Sequence, residues 1–371
     1  MPTADELLGD QVALRLLESL RAAAPAVRFT TLENACGGLT GQALRERVDA
    51  LADALIADVP GEFDALAGLV STARDQTPQL DGWMVWPVSV ALAKRAASEA
   101  SPQALDGALD LLASLTSRLS SEFALRILLR ADLPRVLSTA HAWAGSPDPH
   151  IRRLASEGTR PYLPWALRVP ELTTRPEHTL PILDALYNDE SEYVRRSVAN
   201  HLNDLSRHAP EAVLQAAARW SEAPGESTAW VLRHGLRTLV KQGNAQALAL
   251  LGYSGTDLVV EDFEVLSVDV TFPGTLGFSA RIRNDGMETA RIALDYVLYH
   301  LRANGTQSPK TFKLTSRTLA PGQEIQVSRE HKFREITTRR YYNGVHAVAL
   351  QVNGLQTQPV PFRLSGVTHE K

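Results

Sequence analysis

The chain has 371 residues, 44% of them hydrophobic, and a formal net charge of −4 at pH 7. That length exceeds what one small core organises and implies two domains or three, and no apolar run approaches the roughly 18 residues that cross a bilayer. A single cysteine, Cys36, excludes an intrachain disulfide and a multi-cysteine zinc site, and the acidic balance argues mildly against a uniformly basic nucleic-acid binder.

The opening stretch, MPTADELLGD, lacks the basic-then-apolar pattern of a secretion signal, and with so little cysteine it points to a cytoplasmic location. From there to about residue 252, Ala and Leu dominate and apolar residues recur every three or four positions, the period of helices. Breaks are expected at Pro60-Gly61, Pro78, Pro87, Pro102, Pro134, Pro147 to Pro149, Pro161 to Pro164, Pro176, Pro210 and Pro224-Gly225. The helices between them pair as hairpins. Cys36 sits in CGGLTG, far in sequence from the charged motifs that follow, and is a poor candidate nucleophile. The basic residues are mostly Arg, with no Lys between Lys94 and Lys241. Guanidinium forks match phosphate, although codon usage in a GC-rich genome produces the same bias.

In SSEFALR, residues 120–126, Ser120 or Ser121 is suited to cap a helix. That places Glu122 in a favourable first turn, which is a structural reason for its charge. Residues 150–165 read HIRRLASEGTRPYLPW, an Arg pair followed by Glu157, with Gly158 and Pro161 closing the helix. A carboxylate there faces the negative end of the helix dipole, a conflict of roughly 0.3–1 kcal/mol. Such conflicts mark functional positions, but an ion pair with Arg153 one turn back accounts for Glu157 equally. Trp165 follows two prolines outside the apolar period, and reads either as core or as a stacking surface.

Residues 193–205, YVRRSVANHLNDL, repeat the Arg pair at an offset of 43, and WVLRHGLR at 230–237 repeats it more weakly at an offset of 37. Periods near 40 belong to HEAT-like arrays of stacked helix pairs. Val194, Val198, Leu202 and Leu205 share a packing face, while Arg196, Asn200 and Asp204 form a polar stripe. The stripe lies either on the convex outside or in the concave groove. On a solvated face Asp204 is simply a partner for Asn200 or Arg207.

Near residue 253 the pattern changes. FEVLSVDV, FSARIRN, ARIALDYVLYHL, IQVSREHKF and VHAVALQV alternate with period two, separated by turn signals such as Asn304-Gly305, Pro321-Gly322 and Asn353-Gly354. About seven strands in some 110 residues fit an immunoglobulin-like sandwich of the fibronectin-like kind. This segment is slightly basic, with 14 Lys and Arg against 12 Asp and Glu. The group KFREITTRRYY at 332–342 is either a phosphate-contacting loop or a strand edge guarded by solvated charge.

SSEFALR, IRRLASEGTRP, LPW, SEYVRRSVANHLNDLS and RHGLRTLVKQG, in that order, resemble the signature of AlkC-type DNA alkylation repair glycosylases. The similarity is strong over about 110–255 and looser over the preceding helices. The C-terminal segment, including ITTRRYYNG, resembles the immunoglobulin-like appendage of one AlkC branch. The resemblance implies an all-α HEAT-like solenoid over 1–253 whose concave face holds DNA, followed by an all-β immunoglobulin/fibronectin-like sandwich over 256–371. It implies that Glu157 and Asp204 are the catalytic carboxylates, that Glu122 supports them and that Trp165 contacts the lesion. It also implies phosphate contacts from among Arg152, Arg160, Arg195 and Arg196; Arg153, Arg233 and Arg237 of the same helical segment, and Arg339, Arg340 and Tyr341 of the basic group in the β domain, are further candidate DNA contacts.

The expected partner is duplex DNA containing alkylated bases, and the expected reaction is hydrolysis of the N-glycosidic bond of 3-methyladenine or 3-methylcytosine, leaving an abasic site. The absence of Lys from 95 to 240 argues against Schiff-base chemistry. With no P-loop, GxSxG or HExxH, and ten His without ligand spacing, no cofactor or metal is expected. A monomer with no membrane association is expected. The alternative is a HEAT-repeat scaffold that binds DNA or protein without catalysis.

Overall fold

The computed structural model describes residues 2–76, 80–253, 257–337 and 339–368. Pro78, an expected helix break, and residue 256, the expected start of the β domain, lie outside the described residues. By its contacts the chain divides into two compact units, Met1–Gly235 and Leu236–Lys371.

The first unit is helical: α1 (Ala4–Leu8), α2 (Asp10–Ala23), α3 (Thr30–Cys36), α4 (Leu44–Asp58), α5 (Phe63–Asp75), α6 (Val85–Glu99), α7 (Pro102–Leu115), α8 (Glu122–Ala131), α9 (Leu133–Trp143) and α10 (Pro149–Glu157). It continues with α11 (Glu171–Thr174), α12 (Leu180–Leu186), α13 (Glu192–Leu205), α14 (Pro210–Glu222) and α15 (Thr228–Gly235). Several of the prolines that break the sequence pattern start the next helix. Pro102, Pro149 and Pro210 are first helical residues, where a missing N–H leaves nothing unpaired. Pro87 makes no break: it falls in the first turn of α6, where its missing N–H takes no hydrogen bond from the helix.

A continuous apolar core runs from Leu8 to Leu172. Helix α6 lies in its middle, packed on α4, α7 and α8, with Trp86 stacked on Phe123 at 4.1 Å. The repeated segments become neighbouring helices, α10 on α13 and α13 on α15. His150 and Tyr193, at equivalent repeat positions, bring their rings within 5.7 Å. Val194, Val198, Leu202 and Leu205 are all buried, as their spacing requires. Among the described residues no helix is long and apolar enough to cross a membrane.

The second unit opens with α16 (Arg237–Lys241) and α17 (Ala245–Leu250) and continues as strands. These are β1 (Leu258–Val265), β2 (Asp269–Thr271), β3 (Gly274–Asn284), β4 (Ala290–Leu301), β5 (Gln307–Leu319), β6 (Glu324–Phe333), β7 (Gly344–Val352), β8 (Leu355–Gln356) and β9 (Val360–Ser365). One sheet has the order β1-β3-β6 and the other β2-β9-β7-β4-β5, with β8 paired to β7. Pairing is antiparallel except between β2 and β9. Phe278, Tyr296, Phe333, Leu350 and Phe362 fill the space between the sheets.

The FEVLSVDV run splits between β1 and β2, because Leu266 and Val268 are exposed. Strand β5 shows no clean alternation, whereas β9 alternates but is only six residues long, and each contains a proline. Strand β5 tolerates Pro309 because it is an edge strand. Asn353 and Gly354 both take positive φ, 45° and 84°, the tight hairpin turn that Asn-Gly favours.

Candidate active site

Three pieces of the first unit converge: the start of α8, the end of α10 with the loop after it, and the last turns of α13. Glu157 is the final residue of α10, as its Gly158 and Pro161 neighbours dictate. Gly158 lets α10 sit close on α8, since a Cβ there would lie 2.5 Å from Leu125 Cδ2.

Five charged side chains then alternate in sign. Arg153 pairs with Glu122 and lies 3.6 Å from Glu157 Oε1. Arg160 Nη1 donates to Glu157 Oε1 at 2.5 Å, and its Nε donates to Asp204 Oδ2 at 2.9 Å. The side chains in this chain are only 5% to 16% exposed, so solvent does little to screen them. Ser120 Oγ donates to Glu122 Oε2 at 2.5 Å, while Ser121 occupies the cap position of α8 without a capping bond. The partner of Asp204 is therefore Arg160, 44 residues away, in a buried rather than a solvated setting. With all five groups ionised, three carboxylates face two guanidiniums and leave one net negative charge.

Burial pushes the Asp204 and Glu122 carboxyls above their ordinary values, against the pull of Arg160 and Arg153 respectively. His201 is wholly buried between α13 and α10, its Nδ1 2.9 Å from the Ser156 carbonyl oxygen. Burial, and then Arg160, pull its pKa down to about 3, so the ring is neutral and Nδ1 carries the proton that Ser156 accepts.

The loop after Glu157 is fixed from below. Arg126 of α8 donates from Nε to Leu167 O at 2.9 Å and from Nη1 to Arg160 O at 2.6 Å and Gly158 O at 3.3 Å. Tyr162 stacks on His208, its hydroxyl bonded to His208 Nε2, with the Arg168 and Arg207 guanidiniums 4.5 and 5.0 Å from its ring centre. Trp165 is 59% exposed and sits at φ 63°, the left-handed region where a bulky side chain is strained.

The other arginines are dispersed. Arg152 is buried and forks onto Asp189 at 2.6 and 3.0 Å. Arg195 Nη1 donates to the Asp189 and Glu190 carbonyls at 2.6 and 2.8 Å. Arg196 is exposed and paired with Glu192, and Arg233 is exposed on α15. Arg237 opens α16 in the second unit, where Arg340 is exposed and Arg339 half-buried. Tyr341 is buried in the sandwich against Phe333 and Phe272, at 5.4 and 5.6 Å between ring centres. Arg126, His201, Tyr162 and His208 escaped sequence reasoning. Arg126 did carry a signal: it stands three residues from both Phe123 and Leu129, on the apolar spacing of α8.

Comparison with known proteins places this geometry in context. The family model described as "DNA alkylation repair enzyme" matches residues 26–239, and that of the C-terminal Ig-like domain of the uncharacterised protein YhaZ matches residues 259–366. The uncharacterized protein YhaZ of Bacillus subtilis (strain 168) is 34% identical over 325 residues, covering 86% of this chain and 87% of that one. The structure of Pseudomonas fluorescens alkylpurine DNA glycosylase AlkC, bound to DNA containing an abasic site analog, superposes with a TM-score of 0.80. That match has 31% identity and covers 98% of this chain and 100% of that one.

Proposed function

The chain belongs to the DNA alkylation repair enzyme family, and from that premise we propose that it hydrolyses the N-glycosidic bond of cationic N3-alkylated bases in duplex DNA, 3-methyladenine and 3-methylcytosine above all. The observation that supports this reading best is the Arg160 bridge, which joins Glu157 and Asp204 from two helices into one buried cluster.

An N3-alkylated base carries a positive charge, so its bond to the sugar is already weakened and it departs neutral. The enzyme need not protonate it. What builds up in the transition state is positive charge on the sugar, and carboxylates held in a buried cluster stabilise that charge. Glu157 and Asp204 face the oxocarbenium-like sugar and orient the attacking water. Burial makes Asp204 a stronger base than an exposed Asp, which suits it to accept the proton that water loses. Arg153 and Arg160 act from within the cluster by holding the carboxylates apart and in register. Trp165, exposed beside them in sequence, offers its ring to the lesion. Arg196 and Arg233, which stand at the repeat position of Arg153 but face solvent, are the phosphate contacts of the helical unit.

The test is base release from methylated duplex DNA by wild type, Glu157→Gln and Asp204→Asn. Wild type releases 3-methyladenine and 3-methylcytosine, and each variant folds, binds and loses at least about a hundredfold in rate, or about 2.7 kcal/mol of barrier. A folded wild type that binds duplex DNA and releases nothing overturns the enzymatic reading and leaves a binding protein.

A further inference from the structure

Arg126 is wholly buried, and the charges that act on it are the guanidiniums of Arg168 and Arg160, which repel it. Burial, then those two neighbours, lower its pKa to about 10, so it remains charged at neutral pH. Among the described residues its hydrogen-bond partners are three backbone carbonyls, and its Nη2 is buried without one. Packing α8 against the core does not require this. An apolar side chain of similar volume fills such a position without the desolvation that a lone buried cation incurs.

The offset comes from where the carbonyls lie. Gly158 caps the C-terminal end of α10, the negative end of its dipole, and a guanidinium bonded to its carbonyl offsets that partial charge. Its other two acceptors, Arg160 O and Leu167 O, lie further along the loop, on either side of Trp165.

We propose that Arg126 is a positioning residue for base excision: its guanidinium fixes the loop from Gly158 to Leu167 so that Arg160 spans Glu157 and Asp204 and Trp165 holds its outward, left-handed conformation. The catalytic part of this rests on the glycosylase reading above; the loop-fixing part does not. Arg126 touches neither carboxylate, and it acts through the backbone of the residues that do.

The experiment uses full-length protein carrying Arg126→Lys or Arg126→Met, labelled with 5-fluorotryptophan, with the Trp165 resonance assigned by Trp165→Phe. Single-turnover base release, affinity for undamaged duplex and thermal unfolding are measured alongside the fluorine spectrum. Both variants are expected to bind undamaged duplex as wild type does, to shift or broaden the Trp165 resonance, and to lose about tenfold to a hundredfold in release rate, Met more than Lys. Folded variants with the wild-type rate and an unmoved Trp165 resonance overturn the proposal. So does failure of both to fold, because Arg126 then holds the unit rather than the loop. If wild type itself releases no base, the glycosylase reading falls, and the fluorine spectrum still decides whether Arg126 sets the loop.

Discussion

At the scale of single residues, Asp204 carries a stability cost of its own. Its carboxyl is raised above the ordinary value of 3.8 because burial outweighs the attraction of Arg160. The folded state therefore binds the proton more tightly than the unfolded chain. The resulting stability is fully present below that ordinary value and is lost as pH rises through the raised one. Asp204→Asn has no such loss. Its melting temperature relative to wild type should climb between about pH 4 and about pH 8, even as base release collapses. Thermal unfolding at the two pH values checks this, and an equal difference at both would show that burial does not govern Asp204. Glu157 and Asp204 are legible in sequence as carboxylates beside the repeated Arg pairs, and Glu122 as a first-turn carboxylate of SSEFALR. The pair of Arg153 with Glu157, one turn apart, was legible too; what sequence hid is that Arg153 also reaches Glu122 and that Arg160 joins Glu157 to Asp204, because those partners lie 31 and 44 residues apart.

At the scale of elements, the site depends on how closely α8, α10 and α13 approach. Gly158→Ala pushes a methyl group into Leu125 and should lower stability by about 1–3 kcal/mol, with base release falling as α10 shifts. Urea denaturation measures the first effect and single-turnover release the second; a fully stable variant would mean that the contact yields freely. Arg152 tests a different point. It forks onto buried Asp189 and joins α10 to the turn before α13, so Arg152→Ala strands a carboxylate and should cost about 3–5 kcal/mol. If Arg152 instead serves phosphates, the variant keeps its stability and shows a shallower salt dependence of DNA binding. The helical hairpins were legible because their apolar period and proline starts are local. Strand β5 was not, because its partner β4 supplies the order that its own alternation lacks, and β9 was not, because it is only six residues long and holds Pro361.

For the whole molecule, a net charge of −4 has to be reconciled with a polyanionic partner. Attraction then comes from exposed local groups rather than from the overall field, and the logarithm of the binding constant should fall linearly with the logarithm of salt concentration, with a slope of about 0.9 per phosphate neutralised. Replacing Arg196 and Arg233 together by Ala should flatten that slope by about two units, as should replacing Arg339 and Arg340. Titrations of duplex DNA at several salt concentrations read both, and an unchanged slope for either pair removes it from the interface.

The sequence by itself determined the helical and β segments and most of the residues that gather at the site. Each of these rests on short-range regularities: the helical period, alternation, turn residues and motifs repeated at about 40-residue spacing. Only the tertiary structure decided which charged residues are buried against one another and which stay exposed. A guanidinium that reaches a phosphate and one that bridges two buried carboxylates have the same local pattern. They differ in which helices lie beside them and in how much water those helices exclude, and neither quantity is written in any short stretch of chain.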